Sequence, residues 1–339
     1  MRFKTCAESA LCIAGALVFL AAGSTRAQDA MSVGTAPMAL PIWAYPVPAA
    51  VSSGVTPAAT TQEEGLRHVR GSSAGYTKAQ IADLFTVPDW FPDTHPAMLG
   101  VVSRGRKPDV PACAYCHLPN GQGRPENASV AGLPAAYMME QMAEFKSGLR
   151  KGSESRMGSV NYMIHLAKGA TLDEVTTGVE YFASMTPSAW IRVVETAMVP
   201  KTRIAGGMLV LDEAGGTEPI GARVIEVPEN LEQTELRNSK SGFVAYVPEG
   251  SLKRGELLVK TGGNGETMAC TMCHGMNLKG MANVPSIAGR SPSQMTRQII
   301  DFQTGARNGA NAPLMKGTVS KLTIEDIVAI TGYIASQAP

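Results

Sequence analysis

Two short stretches hold the residues best suited to chemistry: Cys113-Ala114-Tyr115-Cys116-His117 and Cys270-Thr271-Met272-Cys273-His274. In each, two thiols stand three positions apart and an imidazole follows at once, the attachment signature of a c-type haem. One helical turn sets both sulfurs on one face, where each can add to a vinyl group, and leaves the histidine under the iron as proximal ligand. A Cys-x-x-Cys alone also suits a thiol redox pair or half of a zinc site. Neither accounts for a histidine directly after the second cysteine in two places. Two covalently bound haem c groups are therefore expected, anchored by Cys113, Cys116, Cys270 and Cys273, with His117 and His274 as iron ligands.

The elements that must position these groups come from an internal repeat. A shift of 157 positions brings Ser129-Val130-Ala131-Gly132 onto Ser286-Ile287-Ala288-Gly289. It also brings Gln141, Glu144, Phe145, Gly148, Arg150 and Gly152 onto Gln298, Asp301, Phe302, Gly305, Arg307 and Gly309. Further on the shift becomes 152, and Tyr181-Phe182-Ala183-Ser184 meets Tyr333-Ile334-Ala335-Ser336. Each copy reads as helical. Met138, Met142 and Phe145 recur at helical spacing, as do Met295, Ile299 and Phe302, and glycines 148 and 305 stop those helices. A last helix opens at Thr171 with Glu174, and at Thr323 with Asp326, in capping-box arrangements.

The second axial ligand decides the chemistry, because a haem with one strong protein ligand can bind small molecules, whereas one with two mainly transfers electrons. Among many methionines, Met163 lies eight residues before Thr171 and Met315 eight before Thr323, so both occupy one place in the repeat. His165 is the rival ligand in the first copy, and Met157 a third choice. Arg150 and Arg307 end equivalent helices, where they either pair with haem propionates or complement helix C-termini. His68 and His95 read as surface or packing histidines, the latter between Pro92 and Pro96 in a turn.

These features together resemble diheme c-type cytochromes of the cytochrome c4 type. The resemblance rests on the Cys-x-x-Cys-His motifs, the SVAG and SIAG turns, the FKSG and FQTG helix ends, the methionine loop and the TLDE and TIED openings of the last helix. It covers roughly residues 98–187 and 250–339. It implies Met163 and Met315 as axial ligands and periplasmic electron transfer between respiratory partners. A family proline before the turn offers its carbonyl to the proximal histidine. Pro285 matches it, whereas the first copy has Ala128.

The 339 residues allow two or three compact units. Arg2 and Lys4 precede an apolar run from Ala10 to Ala22, and Thr25-Arg26-Ala27 offers a cleavage site, so residues 1–27 read as a secretory signal peptide. Its removal takes Arg2, Lys4, Arg26 and Glu8, bringing 30 basic and 29 acidic residues to 27 and 28. The remaining cysteines are those of the two motifs, which fits export to a bacterial periplasm without structural disulfides. No later run is long enough for a stable membrane span, and no basic run suggests nucleic acid.

The expected fold class is mainly α: two tandem cytochrome c-type helical domains, 98–187 and 250–339. Residues 28–97 form an amino-terminal extension, partly disordered and partly packed on the first domain. Residues 188–249 form a connector whose runs Met208–Leu211, Arg223–Val227 and Phe243–Val247 make either a small sheet or an extended spacer. The expected function is single-electron transfer between redox protein partners, a donor dehydrogenase or cytochrome complex and an acceptor oxidase or reductase. The alternatives are a diheme oxidoreductase of thiosulfate dehydrogenase or peroxidase type, or a cytochrome subunit of a larger dehydrogenase.

Overall fold

In the computed structural model, which describes residues 39–47 and 65–339, the chain first forms a short α1 (Lys78–Ala82) and then four helices around the first motif. These are α2 (Cys113–His117), α3 (Ala135–Ser147), α4 (Gly158–Gly169) and α5 (Leu172–Ala183). The connector follows with β1 (Ile191–Glu195), β2 (Met198–Pro200), β3 (Thr202–Ala205), β4 (Met208–Leu211), β5 (Thr217–Pro219) and β6 (Ile225–Pro228). It ends with α6 (Leu231–Glu235) and β7 (Phe243–Val247). Around the second motif lie α7 (Ser251–Thr261), α8 (Thr271–His274), α9 (Pro292–Thr304), α10 (Ala312–Val319) and α11 (Ile324–Ser336). The expected signal peptide lies outside the described residues. Among the described residues no helix is long and apolar enough to cross a membrane.

Local chemistry sets the helix ends. Thr171 and Thr323 accept the backbone N–H three residues on, and Glu174 and Asp326 return the bond, so α5 and α11 open on complete capping boxes. Gly148 and Gly305 close α3 and α9 at φ +77° and +80°, a left-handed conformation that glycine adopts without a Cβ clash. The repeat also holds bond by bond. Gly123 N donates to His117 O and Gly280 N to His274 O, both at 2.8 Å; Gly132 N donates to Phe182 O and Gly289 N to Ile334 O, at 2.9 and 3.0 Å.

The copies differ at their beginnings. In the second, α7 crosses α11 so closely that a Cβ on Gly255 would stand 2.1 Å from the Ala329 carbonyl oxygen. Apolar residues from both helices, Leu258, Val259, Ile327, Ile330 and Ile334, fill the core beneath. The first copy has only the 3-10 turn Gly100–Val102 near the corresponding place, packed on α5. Pro92 and Pro96 stand just before that turn and work against a longer helix.

The extension divides between the copies. Leu84 and Val87 pack in the first core beside Val102 of the first copy. Residues 39–47 reach the other copy, with Ala44 and Tyr45 buried in the second core beside Leu258 and Ile299.

Of the two readings of the connector, strands are the outcome. β1 pairs parallel with β7, which pairs antiparallel with β6, while β3–β4 and β2–β5 form two small antiparallel pairs. Val224 and Val247 pack on Val328 of α11. Glu226 of β6 is buried and accepts from Ser291 Oγ at 2.7 Å and Ser293 N at 3.1 Å, tying the sheet to the start of α9.

Candidate functional site

Both motifs open on one continuous, mainly apolar cleft of about 930 Å³. His117 Nδ1 donates to the Ala128 carbonyl at 2.7 Å, and His274 Nδ1 to the Pro285 carbonyl at 2.8 Å. A backbone carbonyl needs no particular side chain, so Ala128 serves as well as proline. The bond fixes each ring and leaves Nε2 as the available ligand. Burial pulls both imidazole pKa values down and so favours the neutral, metal-binding form.

The same burial pushes the Cys113 thiol up to about 12 and the Cys270 thiol up to about 11. Raised in this way, the thiols stay protonated until they are consumed in a bond. Among the described residues no group of three or more His, Cys, Asp or Glu side chains is placed to hold a bare metal ion.

Met163 and Met315 both line the cleft, on α4 and α10. The methionine segments read from the sequence as loops are therefore helical. Val160, Met163, Ile164 and Ala167 recur at helical spacing on α4. This bears directly on His165. Residues two apart on an α-helix point roughly 200° apart, so Met163 and His165 cannot face the same side. Met163 faces the cleft, while the His165 side chain is 59% exposed and lies 3.8 Å from Asp109. Met157, the N-cap of α4, is 3% exposed and also lines the cleft.

Where the two halves of the cleft join, Arg150 and Arg307 form an antiparallel bridge pair. Arg150 donates to Gln141 Oε1 and Gln298 Oε1, both at 2.8 Å; Arg307 donates to the same oxygens at 2.7 and 3.1 Å. Each guanidinium also lies over its own copy's phenylalanine, Phe145 at 4.4 Å and Phe302 at 4.2 Å. Burial, with Arg307 alongside, pulls the Arg150 pKa down to about 10. Buried Arg307 Nε has no hydrogen-bond partner. Two cations with spare donor capacity make the junction an acceptor site for carboxylates. Anchoring thiols, an oriented imidazole, an apolar wall and a cationic junction together fit a covalently held haem in each half.

Three arginines that hold the site escaped sequence reading. Arg290 donates to Ser129 O at 2.6 Å, Ala131 O at 3.2 Å and Ser286 O at 2.7 Å, lacing the two SVAG and SIAG turns together. Arg297 donates to the Ala44 and Pro125 carbonyls, joining the extension to both copies. Arg237 of the connector stacks on Tyr115 of the first motif. The available signal was asymmetry: Arg290 and Arg297 fall opposite Leu133 and Glu140 in the repeat. The remaining histidines lie elsewhere. His95 bonds to Asp89 and Tyr181 at 3.1 Å each, and exposed His68 bonds to the Ala74 carbonyl.

No protein-family model matches the chain. Over 69 residues it is 36% identical to cytochrome c-554(548) of Halomonas halodenitrificans, covering 20% of this chain and 83% of that one. It is 32% identical over 133 residues to cytochrome c4 of Stutzerimonas stutzeri, covering 35% of this chain and only 63% of that relative's length. It is 23% identical over 233 residues to the thiosulfate dehydrogenase electron acceptor of Thiomonas intermedia (strain K12), covering 68% and 80%. Reduced cytochrome c4 from Pseudomonas stutzeri superposes with a TM-score of 0.44 at 22% identity, covering 66% of this chain and 93% of that chain.

Proposed function

Because the chain belongs to the cytochrome c4-like family of c-type cytochromes, we propose that it is a periplasmic diheme electron carrier. In this reading the four motif cysteines are the covalent anchors, and His117 with Met163 and His274 with Met315 are the axial pairs. The observation that carries it is the placement of both motifs and both repeat-matched methionines on one cleft. Bound there, the two haem c groups supply one-electron couples.

The chain's own residues do the rest. The Ala128 and Pro285 carbonyls hold the imidazoles in one orientation. Thioether sulfur from Met163 and Met315 would favour the reduced iron of a bound haem and so raise its potential. Apolar walls exclude water and keep the ligands in place, so that a change of charge demands little rearrangement. Arg150 and Arg307 provide cationic donors for propionates where Arg307 Nε is otherwise unpartnered. The relative named as a thiosulfate dehydrogenase electron acceptor supports a dehydrogenase as donor.

The purified protein is expected to carry two haem c per chain by haemochrome assay and intact mass. Its oxidised spectrum is expected to be low-spin with a far-red sulfur-to-iron band. High-spin haem that reacts quickly with peroxide would replace this reading with a diheme oxidoreductase.

A further inference from the structure

The two motifs occupy matching places in the repeat but are covered differently. Tyr115 and Met272 are counterparts, yet Tyr115 is 6% exposed and Met272 65%. Cys116 is half-buried and its counterpart Cys273 is exposed. The difference comes from the connector. Asn120 Nδ2 donates to Ser239 O at 2.7 Å, Gln122 Nε2 to Ser241 O at 2.8 Å and Arg124 Nη1 to Thr234 O at 3.4 Å. Arg237 sets its guanidinium 3.4 Å from the Tyr115 ring centroid and donates to the Tyr115 and Ile81 carbonyls at 2.8 and 3.3 Å. Trp90 Nε1 donates to Leu236 O at 2.8 Å, so the extension holds this segment from its other side.

The second copy keeps the corresponding positions open. Asn277 and Lys279, the counterparts of Asn120 and Gln122, are exposed, and Met276 and Met281 are exposed to 80% and 50%. Methionines on a surface form an adaptable apolar contact. The stretch 267–286 contains Lys279 and no acidic residue.

We propose that connector residues 231–243 close the outer face of the first attachment motif. The open face around Cys273, rimmed by Met272, Met276 and Met281, is then where the chain meets its redox partner, a protein whose apolar contact patch is bordered by carboxylates. Apolar matching holds the contact, and carboxylates opposite Lys279 orient it. The first face is already filled by the chain itself, through a cation on an aromatic ring and three backbone acceptors. The inference rests on the electron-carrier reading.

Hydroxyl-radical footprinting of the holoprotein, read by mass spectrometry, tests the closure without reference to activity. Met272 and Met276 are expected to be oxidised and Tyr115 to stay at background, with Arg237→Ala raising Tyr115 labelling several-fold and leaving Met272 unchanged. Equal labelling of Tyr115 and Met272 in the unaltered chain overturns the closure.

The contact face is probed with flash-generated semiquinones of neutral lumiflavin and anionic flavin mononucleotide. Reduction by the anionic probe is expected to slow as ionic strength rises while lumiflavin is indifferent, and Lys279→Glu is expected to remove that dependence. Arg237→Ala is expected to add a second bimolecular phase. An unchanged salt dependence in Lys279→Glu, or two bimolecular phases already present in the unaltered chain, sinks the assignment. Absence of covalent haem in the purified chain would instead refute the carrier reading, and the haemochrome assay reads that separately.

Discussion

Arg150 and Arg307 share their acceptors crosswise: each donates to the glutamine of its own copy and to that of the other, Gln141 and Gln298. The two guanidinium groups would repel across this junction, and the shared amide oxygens hold them apart in fixed directions. The arrangement ties the halves of the cleft to each other through side chains that also face its interior.

Gln141→Leu removes an acceptor from both arginines at a buried position. Hydrogen bonds to charged groups contribute about 1.5–3 kcal/mol each, and orphaned charged donors cost at least as much, so a loss of about 3 kcal/mol is expected. The urea midpoint of the holoprotein reads it. Gln141→Glu, which keeps an acceptor between the two cations, is expected to retain most of the stability.

Met163→Ala is expected to abolish the far-red band of one haem and lower that haem's potential, with Met315→Ala doing the same for the other. His165→Ala is expected to leave both bands and both potentials unchanged, because its side chain faces Asp109 on the far side of α4. Loss of a band in His165→Ala would show histidine ligation in the first copy.

His95 is expected to give stability a pH dependence. Its hydrogen bond to Asp89 raises the imidazole pKa above 6.5 in the folded chain. The folded state therefore binds this proton more tightly than the unfolded state. The stabilisation is fully present below about 6.5 and disappears as pH rises through the folded value. His95→Asn should flatten that part of the stability profile, and chemical denaturation across pH 5–9 checks it.

Gly255→Ala forces a Cβ against the Ala329 carbonyl at the α7–α11 crossing. Overpacking of this kind costs about 1–3 kcal/mol. Gly158→Ala, at the first position of α4 with nothing within 4 Å of the added Cβ, is the control and is expected to be neutral or slightly stabilising. Thermal unfolding of the two variants separates crowding from helix propensity.

Much of the site was legible in the chain because it is local. Cys-x-x-Cys-His places thiols and imidazole within one turn, Thr171 and Thr323 cap their helices through residues three positions on, and Gly148 and Gly305 end theirs by backbone freedom. The repeat added a longer rule, selecting Met163 and Met315 by position. Helical geometry then answers how His165 stands to Met163, once α4 is known to be a helix rather than a loop.

What spacing could not carry depends on segments far apart in sequence meeting in space. The crosswise bonds of Arg150 and Arg307 exist only where two copies pack with those helix ends in register. Arg290 and Arg297 read as unremarkable cations until the turns and carbonyls they serve are brought beside them. The two Cys-x-x-Cys-His motifs are equivalent as sequence, and folding makes them unequal. Arg237, more than a hundred residues from Tyr115, covers one motif, while Met272 at the matching place in the other stays exposed. A local pattern specifies what a residue can bond; only the folded chain decides which partner arrives.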